Sequence, residues 1–151
     1  MSPSTIYRHF ETKEAIVLWD EHEAGLEAAF ARELPRQPPL AALRTIFVDE
    51  LGDRYEQDLE FQLRRVRYVC ETEDLHVAAG HVAYRDTLEI AAALEPVLSS
   101  EHRHAAVILA GAAMWALDVA FDRWQKADGA TSLATFINEA FDVLSHLDEI
   151  T

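Results

Sequence analysis

Cysteine occurs once, as Cys70, in 151 residues. One thiol excludes a disulfide framework and a cysteine-rich zinc site, and it fits a reducing cytosol. Glycine and proline are scarce, five of each. Few tight turns are therefore available, which argues against an all-β sandwich or barrel. Basic residues are outnumbered, 13 against 27 acidic ones, for a formal net charge of −14. A body this acidic repels nucleic acid as a whole, so any such contact must come from a local basic segment. No secretory leader is expected, since Met1-Ser2-Pro3-Ser4 is polar and no apolar run follows a basic start. The longest uncharged run, Ala105 to Leu117, is too short to span a bilayer. The expectation is a cytoplasmic protein with no membrane contact. What is present is apolar surface. Half the residues are hydrophobic, enough for a core and too much for a disordered chain. The length suits one domain, or a small domain plus a fragment.

The punctuation is that of helices. Thr12 precedes Lys13-Glu14-Ala15, and Ile16, Trp19, Leu26, Ala29 and Phe30 then recur at helical spacing. Pro35 ends that helix, and Pro35-Arg36-Gln37-Pro38-Pro39 reads as a linker. Pro39 suits the first turn of a second helix carrying Leu40, Leu43, Phe47 and Leu51, which weakens around Gly52-Asp53. A third helix, about 56–71, has Leu59, Leu63, Val66 and Cys70 on one stripe. A fourth, about 73–98, has Val77, His81, Tyr84, Leu88, Ala91, Glu95 and Leu98. Ser99-Ser100-Glu101 starts a fifth, running to about Lys126, and Asp128-Gly129 closes it. The sixth follows Thr131-Ser132 and has the cleanest stripe: Leu133, Phe136, Ile137, Ala140, Phe141, Leu144 and Leu147. No segment alternates strictly as a strand would. The expected fold is an all-α bundle, divided at residues 1–34 and 35–151, with antiparallel neighbours where connections are short.

The first residues differ from the rest. Residues 1–13 hold Arg8 and Lys13 against Glu11, while the remainder holds 11 basic and 26 acidic side chains. Ser2, Ser4, Thr5, Tyr7, Arg8 and His9 can all donate to phosphate. The run Ser2-Pro3-Ser4-Thr5-Ile6-Tyr7-Arg8-His9-Phe10-Glu11-Thr12-Lys13-Glu14-Ala15-Ile16-Val17 resembles the second half of the helix-turn-helix of TetR/AcrR-family repressors. That family has a Thr-x-Tyr-x-His/Tyr-Phe recognition helix followed by a Lys-Glu helix start. The resemblance implies that Ser4 and its neighbours face bases, and that Thr5, Tyr7, His9 and Lys13 hold phosphates. It implies a linking helix over 13–33, then a helical ligand-binding and dimerisation domain. The family places two further helices and a Gly-containing turn ahead of this point. The chain as given starts inside that unit, so the expectation is weak operator binding on its own.

The fifth helix is apolar all round from Ala105 to Leu117, which predicts burial on every side. Gly111, Ala112 and Ala116 permit close approach. With the sixth helix it is expected to form a four-helix homodimer interface, as the resemblance also implies; a central core helix in a monomer is the alternative. His81, Tyr84 and Glu95 interrupt the fourth stripe, and buried polar groups need partners. Singly, they read as satisfied core residues. As a set, Tyr68, His81, Tyr84, Met114 and Trp115 suggest a cavity for a small hydrophobic effector, with Arg64 and Arg67 receiving an anionic head. The run Arg64-Arg65-Val66-Arg67-Tyr68-Val69 is also similar to a subgroup of that family whose effectors are acyl-CoA-like.

Chemistry is harder to find. Glu73…His76 and Glu101…His104 have the spacing of di-iron helix pairs, but both open consecutive helices. In antiparallel helices those starts lie on the order of 35–40 Å apart. Cys70 sits on an apolar stripe and reads as a small buried hydrophobe. No Gly-rich phosphate loop and no Gly-x-Ser-x-Gly elbow occurs. The expectation is a ligand-responsive DNA-binding regulator without metal, cofactor or catalysis, with operator DNA as partner of the full-length form. A helical ligand-binding or dimerisation module and a helical-bundle enzyme stay open as alternatives.

Overall fold

Pro38 and Pro39 open the first helix of the main body. Their fixed backbone suits a helix start, where the missing amide hydrogens have no partner to lose. The computed structural model describes residues 13–18 and 23–147, and among them every regular element is helical. The elements are α1 (Lys13–Leu18), α2 (Glu23–Glu33), α3 (Pro39–Phe47), α4 (Asp53–Gln57), α5 (Leu59–Glu71), α6 (Glu73–Leu94), α7 (Ala105–Lys126) and α8 (Leu133–Ser145). Short 3-10 turns at Glu95–Val97 and Ser100–His102 join α6 to α7. The fold class is all-α, as the periodicity predicts.

Local chemistry sets the ends. Ser132 caps α8, its Oγ accepting from the Thr135 amide at 3.1 Å. Asp128 and Gly129 end α7 in the left-handed region, at φ 57° and 69°. The Gly129 amide reaches back to the Trp124 carbonyl at 3.2 Å. A Cβ on Gly129 would lie 2.6 Å from Leu59 Cδ1. Gly129→Ala therefore combines backbone strain with a clash, and should cost roughly 1–2 kcal/mol in chemical denaturation. An unchanged midpoint would show that the turn relaxes freely.

The chain does not break at Gly52-Asp53. It passes through a π-helical turn, Val48–Gly52, directly into α4. Gly52 permits a close approach there: a Cβ would sit 3.0 Å from Ala134 Cβ of α8. The break falls at Asp58, whose backbone is non-helical at φ −139° and ψ 61°.

The core is built around α7, which packs against α3, α5, α6 and α8. Its inner stripe is Ala106, Ala110, Ala113, Leu117, Ala120 and Trp124, all buried. α8 answers with Leu133, Phe136, Ile137, Ala140 and Phe141. Phe47 meets Phe141 edge-on at 6.0 Å, and Tyr55, Phe121 and Trp124 form an edge-to-face trio. Arg44 ties α3 to α8, donating to Asn138 Oδ1 and Asp142 Oδ1 at 2.6 Å each. Ala29 of α2 and Leu34 are buried in this same core, so residues on both sides of position 34 share it.

Three expectations need correction. α7 is not buried on every side; Val107, Ile108, Trp115 and Val119 point outward. Most of the expected stripe of the fourth helix is an outer face: Val77, His81, Tyr84, Leu88 and Glu95 are exposed, whereas Ala91 is buried and Leu98, just past the helix, packs against the core. α6 also buries Leu75, Ile90 and Leu94. Cys70 is exposed rather than buried. Periodicity reports that a helix has an apolar face, but it does not say whether that face meets the core or the outside. Also, α7 is long and apolar enough, by length and composition, to cross a membrane, with a mean hydropathy of 1.6 over its most apolar window. The shorter uncharged run read from the sequence understates it.

Candidate partner surface and ligand groove

α7 carries two apolar stripes. Residues 106, 110, 113, 117, 120 and 124 face the core. Ile108, Ala112, Trp115 and Val119 follow the same steps of three and four, offset by two positions, and so lie on the opposite face. Ile108 is 68% exposed and Trp115 is 71% exposed. α8 extends this surface. Arg123 of α7 bridges Glu139 of α8 at 2.6 Å, and its guanidinium lies 4.6 Å from the Phe136 ring centre. One turn back along α7 and one turn on along α8, the same antiparallel register sets Val119 beside Val143. Val143 and Leu147 are both more than half exposed. The two helices thus present one apolar outer surface. Arg103 and His104 are exposed at the start of α7, and Asp118 is exposed in its second half.

The sequence-expected pocket residues do not enclose one cavity. Arg64, Arg67 and Tyr68 come together, lining an open groove of about 470 Å³ with Glu60, Leu63, Glu71 and Asp128. Both guanidiniums are already engaged. Arg64 bridges Glu60 at 2.6 Å. Arg67 bridges Asp128 and donates to the Gln125 carbonyl at 3.0 Å. Three carboxylates against two guanidiniums leave the groove net negative, a poor receiver for an anionic head group. His81 and Tyr84 lie on the outer face of α6, and Tyr84 is 67% exposed. Trp115 faces outward on α7, while Met114 is partly buried against the core.

Of the expected phosphate and base contacts, Lys13 is the exposed first residue of α1. Ser4, Thr5, Tyr7, Arg8 and His9 lie outside the described residues. α1 is anchored at its far end, where Arg65 Nε donates to the Val17 carbonyl at 2.9 Å. Partial burial pushes the Cys70 thiol pKa up, and Asp118, Asp122 and Glu71 add to the shift. That disfavours a thiolate nucleophile. Among the described residues no three His, Cys, Asp or Glu side chains converge as a metal site.

Val107 and Ile108 fall within the run that sequence reasoning assigned to a homodimer interface; the outer residues it did not single out are Val119 and Val143. The signal was available. A helix whose apolar residues fit two stripes has two faces to cover, and one chain supplies one core.

No protein family, no curated protein and no solved structure matches this chain.

Proposed function

We propose that this chain is the effector-binding and dimerising part of a ligand-responsive DNA-binding transcriptional regulator, with a TetR/AcrR-like arrangement. The observation that carries the proposal is the apolar outer surface of α7 and α8, centred on Trp115. A monomer rarely leaves such a patch open to water. A second copy is the occupant that fits, because a two-fold contact requires a self-complementary surface. In an antiparallel pairing of two α7 helices, Arg103 at the start of one comes toward Asp118 of the other, while Asp122 stays paired with Lys126 of its own helix. The apolar stripe meets itself in the middle.

The DNA role rests on residues 2–17 and on charge. The basic donors Arg8 and Lys13 stand at one end of an otherwise strongly acidic chain. A dimer presents two such ends, and their separation would have to match one helical turn of DNA, roughly 34 Å. An effector acts by favouring one separation over the other, through different affinity for the two states. The arrangement gives no comparable support to an enzyme.

Sedimentation equilibrium and sequence selection test both halves. The chain should sediment as a dimer. Selection from a random duplex library at low ionic strength should enrich a palindrome, and Arg8→Glu with Lys13→Glu should abolish the enrichment. A dimer that selects no symmetric sequence overturns the DNA half. A monomer at micromolar concentration overturns the dimer half.

A further inference from the structure

The outer face of α7 is symmetric in spacing about Gly111. His104, Val107, Gly111, Trp115 and Asp118 stand three, four, four and three positions apart. Those steps keep all five on one side of a helix. Arg103 and His104 hold helical backbone angles just ahead of α7, so the register runs through them. The apolar groups flank the glycine evenly: Val107 is 50% exposed and Trp115 is 71% exposed. The charges are opposed. Arg103 is exposed at one end of the stripe and Asp118 at the other. Neither forms a salt bridge among the described residues. Gly111 itself stands open, and a Cβ there would meet nothing within 4 Å. Glycine is a poor helix former, and the packing of the single chain gives no reason for one in the middle of α7.

We infer that two copies of the chain pair α7 against α7 across a two-fold axis at Gly111, and that Arg103 and Asp118 select the partner. The inference rests on the dimer reading above and fixes its register. Each residue of one copy then meets the residue equally far beyond the axis in the other. Val107 packs on Trp115, and Arg103 comes to Asp118, each contact made twice by symmetry. Gly111 meets Gly111 at the crossing. The distance between packed helices follows the side chains at their contact, so a glycine there lets the flanking apolar groups close on one another. A parallel pairing would set Asp118 on Asp118 and Arg103 on Arg103, both repulsive. A partner of different sequence would have to repeat the same order of basic, apolar, small, apolar and acidic groups in the same spacing. The surface therefore fits a second copy of this chain, in one orientation.

Sedimentation equilibrium of charge variants at low ionic strength tests this. Arg103→Asp makes both ends of the stripe acidic, and Asp118→Arg makes both ends basic. Each alone should dimerise about tenfold more weakly than the parent, or worse, since two like-charge contacts replace two attractive ones. Mixed in equal amounts, the two variants should form a heterodimer. The double variant should recover the homodimer. Added salt should shrink these differences. Gly111→Leu tests the axis. It should weaken association about tenfold or more by holding the helices apart. Thermal unfolding of the dilute monomer should not fall, because leucine favours a helix over glycine and the Cβ position is open. Single charge variants that dimerise like the parent, a mixture no tighter than either variant alone, or a Gly111→Leu dimer as tight as the parent would each overturn the inference and leave the dimer standing. A parent chain that stays monomeric would overturn the dimer reading, and the inference with it.

Discussion

Trp115→Glu should convert the proposed dimer to a monomer while leaving the chain folded. Trp115 is the most exposed large apolar side chain among the described residues, at 71%. Its removal therefore costs the isolated chain little, within about 0.5 kcal/mol for an exposed site. In the proposed dimer it lies near the centre of the contact, on the same outer stripe as Ile108, Ala112 and Val119. A buried aromatic anchor at such a centre is worth on the order of 2 kcal/mol or more. Two-fold symmetry counts it twice, and a glutamate adds an unpaired charge on each side. The dissociation constant should rise roughly a thousandfold or more. Sedimentation equilibrium across a concentration series reads this directly. A variant that stays dimeric at the parent's concentration would place the partner surface elsewhere, with the outer stripe of α6, Val77, His81, Tyr84 and Leu88, as the next face to test.

That alternative shows what the sequence could and could not reveal. Helix ends were legible because their causes are local. Ser132 caps α8, Asp128-Gly129 closes α7, and Pro39 opens α3. Each is decided by one or two residues and their own backbone. The inner stripe of α8 was legible too, because that helix has one apolar face and a polar remainder. The α6 stripe was misread inward because a helix of alanines, valines and leucines satisfies the helical period on more than one face. Which face is buried depends on α7, which packs along it, and on α5 and α1. The expected pocket failed for the same reason. Tyr68, His81, Tyr84, Met114 and Trp115 sit on three helices, and their directions are set by how those helices pack. The groove holding Arg64, Arg67 and Tyr68 closes only through Asp128, which lies 61 positions from its partner Arg67. Nothing in the local sequence announces that pairing. The π-turn at Val48–Gly52 is a further case. Its last residue, Gly52, closely approaches Ala134, a contact across 82 positions.

Phe141→Ala should do the reverse of Trp115→Glu, loosening the fold far more than the dimer contact. Phe141 is 1% exposed and stands edge-on to Phe47, where α3 and α8 cross. Arg44 clamps the same two helices from outside through Asn138 and Asp142. The clamp holds the helices at their present separation, so the space vacated by the ring cannot collapse fully. Partial relaxation makes a truncation expensive, about 3–5 kcal/mol for a buried phenylalanine. That is a large share of the roughly 5–15 kcal/mol that holds a domain of this kind together. The midpoint of thermal unfolding should fall by roughly 10 °C. Val143, two residues on, supplies the contrast. It is 51% exposed on the outer surface, so Val143→Ala should barely change unfolding when dilution keeps the chain monomeric. At concentrations where the parent dimerises, the valine variant should weaken association and the phenylalanine variant should not do so beyond its effect on folding. Equal losses of stability from both variants under dilution would mean that α8 has no distinct inner and outer faces. The two-faced arrangement of α7 and α8, on which the partner surface rests, would then be wrong.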